Sequence, residues 1–198
     1  MQIRKFKIQF GVLSIILLAV MAVLIATDLI TKACEEAYSW NFTVIPNFII
    51  VESGVRNSGA AFSSFADASW GHTFLVTITF IMLIVLIAVF ILLPERFVLL
   101  KLAVSMIIAG AIGNLIDRLV FLEVRDFVWV NMLGRFACCN FADFWIVFGV
   151  VIAVVDMLFI NEWSVFPLTK KSRELQRQRK LNEQKAKEDK PDDGAKED

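Results

Sequence analysis

The chain carries one histidine, His72, and three cysteines in 198 residues, and those shortages exclude much chemistry at once. With no Cys-x-x-Cys and no His-Glu-x-x-His, zinc has almost no ligand set, so a zinc peptidase is excluded and no metal or other cofactor is expected. A Ser/His/Asp triad would have to rest on His72 alone, at the start of an apolar run. Polar residues do not alternate within the long apolar runs, which argues against a membrane β-barrel. What is abundant is apolar: 58% hydrophobic residues, eighteen Phe and a mean hydropathy of +0.67 make this an integral membrane protein.

Four runs approach the ~20 residues a helix needs to cross the hydrocarbon core, and hydrocarbon offers backbone groups no partners, so each is expected to be helical. The spans are expected at about 8–27, 72–93, 97–117 and 141–161, in one membrane domain over 1–168. Arg4, Lys5 and Lys7 precede the first run, Arg96 and Lys101 flank the turn between the second and third, and Lys170, Lys171 and Arg173 follow the fourth. Basic residues accumulate on the cytoplasmic side, which puts both termini there and the loops 29–71 and 118–140 outside. PheThrValIle and PheIleIleVal, broken by Pro46-Asn47, suggest a small sheet within residues 41–55 at the outer surface. The tail, 169–198, holds half of the Lys and Arg and mixes them with acids. We read it as a solvated topology anchor, helical at first and disordered at its end, in preference to a segment that binds anionic lipid headgroups. Ala33-Cys34 could suggest a cleavable lipoprotein signal, but Asp28 and Lys32 stand where such a site needs small or apolar residues, so the first span is expected to remain uncleaved.

Cys34, Cys138 and Cys139 all fall outside by this topology. Cys34 could pair with one of the other two, but three scattered cysteines make no scaffold and free thiols are favoured. The remaining polar residues are concentrated. Asp28 and Lys32 are four apart on one helix face, and an ion pair anchoring the helix end accounts for them. Asn57-Ser58-Gly59-Ala60-Ala61-Phe62 combines an amide, a hydroxyl and a flexible glycine. Gly110, Asn114 and Arg118 recur every four residues near the end of the third span. Packing explains the glycine, but not an amide and a cation between helices. Asn140 and Asp143 share one side of the first turn of the fourth span, where a carboxylate also suits the helix dipole. Asp126 lies in the connection leading to that turn. Asp156 is ~20 Å along the helix from Asp143 and is assigned to packing or snorkelling.

Four segments thus bring polar groups to one membrane depth. Two carboxyls brought close cannot both ionise comfortably; one keeps a proton, and the pair can activate water and protonate a leaving amine. A small proton-coupled transporter would want its acids near the midplane and often in related halves, and no internal repeat is present. A non-catalytic lipoprotein-binding membrane protein is the other alternative.

Asp28-x-x-x-Lys32, Asn57-x-Gly59-Ala60-Ala61-Phe62, Gly113-Asn114-x-x-Asp117-Arg118, Val124-x-Asp126-Phe127 and Asn140-x-Ala142-Asp143, in that order, resemble the bacterial lipoprotein signal peptidases, signal peptidase II. The resemblance implies a four-helix membrane bundle with a small extracytoplasmic β-cradle, in the inner membrane. It implies an aspartic endopeptidase that cuts diacylglyceryl-modified prolipoproteins just before the lipidated cysteine, and a monomer with membrane lipids around it is expected. It selects Asp126 and Asp143 as the catalytic pair and sets Asp117 aside. Asn57, Gly59, Asn114, Arg118, Asn140 and Ala142 would line the site, with Asp28 and Lys32 in support. The chain departs from the family in having Cys139 where Phe usually precedes Asn140, in the bulky Phe144-Trp145, and in its long tail.

Overall fold

A computed structural model describes residues 10–59, 69–132, 134–161 and 164–188. Arg4, Lys5 and Lys7, the Ala60-Ala61-Phe62 part of the first loop and the end of the tail lie outside the described residues. The elements are α1 (Val12–Tyr38), β1 (Asn41–Ile45), β2 (Ile49–Asn57), α2 (Gly71–Leu92), α3 (Val98–Phe121), β3 (Val124–Met132), β4 (Arg135–Cys139), α4 (Phe141–Val155), which runs on as a π-helical turn over Asp156–Ile160, and α5 (Lys170–Glu188). Among the described residues, four helices are long and apolar enough to cross a membrane: α1, α2, α3 and α4 with its π turn.

Two compact units divide the chain, residues 1–151 and 152–198. In the first, α3 is the central helix: 56% of its apolar window is buried, against 22% for α1 and 17% for α2. Leu17 and Met21 of α1, Leu83 and Phe90 of α2, and Val104 and Ile108 of α3 form one apolar cluster. Lipid tails are as apolar as these side chains, so close packing rather than water exclusion holds such helices together. Small residues make that packing possible. A methyl at Gly110 would run into the Ala142 carbonyl, and one at Gly113 would lie 2.5 Å from an Asp28 carboxylate oxygen and 3.2 Å from the Ala142 methyl.

α1 continues to Tyr38, well into the residues that the sequence assigns to an outer loop. Asp28, Lys32 and Glu35 recur at helical spacing and are fully buried, so this polar stretch faces protein and not water.

The four strands form one antiparallel sheet in the order β1-β2-β3-β4. The sequence indicates only its first half; β3 and β4 come from the second loop, and Asp126 lies on β3. Between Val51, opposite Val128, and Val55, opposite Asp126, three residues of β2 face one of β3. Gly54 makes this bulge possible with φ +92°, a conformation that side chains disfavour. The bulge ties the sheet to the end of α1: Ser53 Oγ donates to the Glu35 carbonyl (2.9 Å) and accepts from the Trp40 N–H (2.8 Å). On β3 the two faces part company. Val124, Asp126, Val130 and Met132 line a cavity, while Phe127 packs against Trp40 and Phe141 on the other side.

In the second unit, the Asn161 amide donates to Asp156 Oδ2 (3.0 Å) and the Asn161 N–H donates to the Asp156 carbonyl, closing the π turn. Asp156 is therefore occupied in ending its own helix.

Candidate active site

The first turn of α4 supplies the frame. A helix begins with backbone N–H groups that have no partner inside it, and here side chains from two elements take them up. Asn140 Oδ1 accepts the Asp143 N–H (3.1 Å), and Asp143 Oδ2 accepts the Asn140 N–H (3.1 Å). This reciprocal pair is a capping box built from Asn and Asp. Asp28 Oδ1, reaching from α1, accepts the Ala142 N–H (2.9 Å). The spacing Asn-x-Ala-Asp thus fixes the Asp143 carboxyl through the same bonds that start the helix.

Asn140 also reaches the other carboxyl. Its Nδ2 donates to Asp126 Oδ1 (2.7 Å) and lies 3.0 Å from Asn114 Oδ1. Asn57 Nδ2 donates to Asp126 Oδ2 (3.1 Å), and Asn114 Nδ2 donates to Asp143 Oδ1 (2.7 Å). Three asparagines from three elements therefore hold two carboxyls, and Asn140 touches both. Asp126 is almost wholly buried, at 2% exposed. That burial, and next the neighbouring Asp143 carboxylate, push it up to about 7 against the opposing pull of the Asn57 and Asn140 amides.

Behind these groups lies a charge network whose Asp28, Lys32 and Asp117 are fully buried. Lys32 Nζ is 2.8 Å from Asp28 and 3.4 Å from Asp117, and it donates to Asn114 Oδ1 (3.1 Å). Arg125 forks onto Asp117, with Nη2 to Oδ1 at 2.7 Å and Nε to Oδ2 at 3.3 Å, while its backbone N–H donates to Oδ2 (3.0 Å). Arg125 also donates to Glu36 Oε2 (3.3 Å) and lies over the Phe121 ring. Asp117 thereby pins the start of β3 to the end of α3, which sets the position of Asp126 one residue on.

Asp126 and Asp143 open onto a cavity of about 340 Å³. Asn57, Asn114 and Arg118 share its polar end, and Phe144, Ile146 and Val147 form an apolar wall on α4. Arg118 Nη2 donates to the Gly59 carbonyl (3.2 Å), the Gly59 N–H donates to Asn57 Oδ1 (3.0 Å), and His72 Nε2 donates to the Arg118 carbonyl (3.0 Å). Asn140 and Ala142 are fully buried beneath the cavity, and Asp28 and Lys32 lie behind them. All ten residues singled out from the sequence fall in this one neighbourhood. Arg125, Glu36 and His72 were not among the site residues read from the sequence. Arg125 fills the variable position of the Val124-x-Asp126-Phe127 motif and His72 was weighed only as a lone triad histidine, and it is the folded strand and helices that bring all three to the site.

Cys138 and Cys139 also line the cavity. Burial pushes both thiols up to about 12, with the carboxylates adding to it, so they stay protonated and are poor nucleophiles at neutral pH. Among the described residues, no three His, Cys, Asp or Glu side chains come together as a metal site.

This architecture has close counterparts. The model of the family described as signal peptidase (SPase) II matches residues 20–159. The chain belongs to the signal peptidase II family. A lipoprotein signal peptidase of Staphylococcus aureus (strain JH9) is 36% identical over 147 residues, covering 72% of this chain and 86% of the relative. Two solved structures of a bacterial membrane enzyme, obtained by the in meso method, superpose with TM-scores of 0.64 and 0.65. They are 33% and 32% identical; each covers 78% of this chain, and the matched region covers 93% and 98% of theirs. Membership of signal peptidase II makes the chain an aspartic peptidase of the bacterial membrane, with four apolar helices and a small antiparallel sheet.

Proposed function

We propose that Asp126 and Asp143 are the catalytic pair with which this signal peptidase II removes signal peptides from prolipoproteins. The observation that carries the assignment is the joint grip of Asn140 on both carboxyls at the polar end of a cavity whose other wall is apolar.

The two acids are not equivalent. Asp126, held up to about 7, is the one to which we assign the proton. Asp143, aimed by the capping box and by Asn114, is the base. Water placed between them attacks the scissile carbonyl carbon, giving a proton to Asp143 while Asp126 gives its proton to the carbonyl oxygen. Collapse of the tetrahedral diol breaks the C–N bond. Asp143 passes its proton to the leaving amine and the diol hydroxyl returns one to Asp126, which restores both acids. Asn57, Asn114 and Arg118 face the same space and are assigned to holding the substrate backbone, with Gly59 supporting Arg118; Asn140 and Ala142 position the pair from beneath.

The substrate we assign is a diacylglyceryl-modified precursor cut just before its lipidated cysteine. The apolar wall on α4 supports this, because lipid and signal helix can arrive from within the bilayer. Arg96 and Lys101 at the α2–α3 turn support an orientation in the inner membrane with that turn and both termini cytoplasmic and the dyad outward. One copy contains the whole network, which supports a monomer as the working unit.

The test incubates purified protein with diacylglyceryl-modified prolipoprotein and follows release of the signal peptide, alongside Asp126→Asn and Asp143→Asn. Each variant is expected to fold and to leave the precursor uncut. Full activity in either removes that residue from the chemistry. A parent protein that binds a competent precursor without cutting it would favour the non-catalytic binding alternative.

A further inference from the structure

The family match ends at residue 159, and the segment beyond it has its own built surface. We propose that α5 binds anionic phospholipid headgroups at the membrane face where the fourth span ends. This reverses the preference drawn from sequence for a merely solvated tail, and it does not depend on the catalytic assignment.

The argument begins at the end of the span. The Phe166 N–H donates to the Leu158 carbonyl (2.8 Å) and its ring lies 6.5 Å from that of Phe159, so the chain folds back beside the last turn of the span. Val165, Phe166 and Leu168 are nonetheless 64%, 59% and 63% exposed. Three exposed apolar side chains at the level where a span stops suit the boundary between hydrocarbon and headgroups. Arg173 ties α5 to this segment, donating from Nε to the Pro167 carbonyl (3.1 Å) and from Nη2 to the Leu168 carbonyl (3.3 Å), and the Gln176 amide donates to the Ser164 carbonyl. The basic helix therefore starts at the boundary itself.

Arg173, Arg177 and Lys180 are spaced four and three apart, which puts them on one helix face. With Pro167, Gln176 and Leu181 they line a groove of about 300 Å³. Cationic heads beside an apolar floor match a phosphate ester carrying acyl chains. The charge order along the chain agrees: Lys170 to Leu181 holds six basic residues and one acidic, whereas Asn182 to Asp198 holds seven acidic and four basic. An anionic surface attracts the first half and repels the second. A basic residue near such a surface contributes ~1 kcal/mol, about fivefold in affinity, and the effect is screened by salt.

The test places the full chain in nanodiscs of phosphatidylcholine alone or of phosphatidylcholine with phosphatidylglycerol, and follows amide hydrogen exchange over α5. Slower exchange in the anionic discs is expected, reversed by added salt. Arg177→Gln with Lys180→Gln should cut that contrast by about 25-fold, fivefold for each cation, while circular dichroism shows unchanged helix content. Equal exchange in the two discs overturns the proposal, as does a double variant that keeps the full contrast. Protection by soluble polyphosphate in phosphatidylcholine discs, with none from phosphatidylglycerol, would assign the groove to a soluble polyanion and also overturn it.

Discussion

Two charge clusters sit at opposite ends of the same helices, and they treat a carboxyl in opposite ways. At the start of α1, Glu95 from the α2–α3 turn accepts from the Gly11 and Leu13 N–H groups (3.1 and 3.0 Å), from Ser14 Oγ, and from the fully buried Lys101 (2.8 Å). The hydrogen bond from Lys101, then that from Ser14, hold it down to about 2. At the far end, Asp126 has two amide donors, a buried setting and a second carboxyl for a neighbour, and it stands near 7. Cationic donors and free helix amides make a carboxylate that only holds structure together. Neutral amides and a like charge make one that can exchange a proton near neutral pH.

The sharpest way to break the contrast is to neutralise the active acids. Asp126→Asn and Asp143→Asn should each lower kcat/KM for signal-peptide release by about 10²–10⁴-fold, the range that general acid–base catalysis supplies. Asp126→Asn should also separate function from stability. In the unfolded chain this carboxyl ionises near its ordinary value of 3.8, whereas in the fold it keeps its proton up to about 7. The unfolded state therefore binds fewer protons between those values, and stability falls as pH rises through that window. The inactive variant should be more stable than the parent at pH 8, by a few kcal/mol at most, and should lose the advantage below pH 4. Thermal unfolding at the two pH values checks this, and a variant less stable at pH 8 would refute the raised Asp126.

The supporting network should be costly to break and cheap to replace whole. Asp117→Asn leaves Arg125 without a buried counter-charge and Lys32 with Asp28 alone, and should destabilise by about 3–5 kcal/mol. Adding Arg125→Met removes the orphaned charge and should recover part of the loss, measured by denaturant or thermal unfolding in micelles. A double variant no better than Asp117→Asn would mean that the pair is not the coupling between α3 and β3.

How much of this was readable beforehand follows from where each signal lies. The spans were legible because twenty apolar residues have few other fates, and the order of five short motifs carried the resemblance and hence the ten site residues. The extension of α1 to Tyr38 was missed because, beyond the Asp28 and Lys32 pair on one helix face, Glu35 and its polar neighbours look like loop composition unless their helical spacing is taken as a buried face. β3 was missed for a related reason. Val124–Val128 is buried on both faces, so it lacks the polar alternation that marks a half-exposed strand. The fork between Arg125 and Asp117 depends on strand and helix meeting in space. A one-residue slip of β3 would turn Arg125 toward the cavity and Asp126 away from it, and nothing local in the sequence states the register.

The pH profile sharpens the comparison further. If Asp126 must hold its proton, kcat/KM should fall as pH rises through about 7. Asn140→Ala removes an amide that favours the charged form of Asp126, so the descending limb should move to higher pH, at the expense of roughly 1 kcal/mol from the lost helix cap. A limb that moves to lower pH would contradict the part assigned to Asn140.

The smallest effect is expected at the structural end. Glu95→Gln loses the charge that Lys101 and the α1 amides hold, but it touches nothing in the cavity. Because the folded carboxyl lies below its ordinary 4.5, its contribution is present above that value and is lost as pH falls toward 2. The variant should therefore unfold at a lower temperature than the parent at pH 7, with the gap closing on acidification, while signal-peptide release per folded molecule and its pH profile stay unchanged. A shifted activity profile would mean that the two ends of the bundle communicate, and the contrast between a holding and a reacting carboxyl would no longer be local.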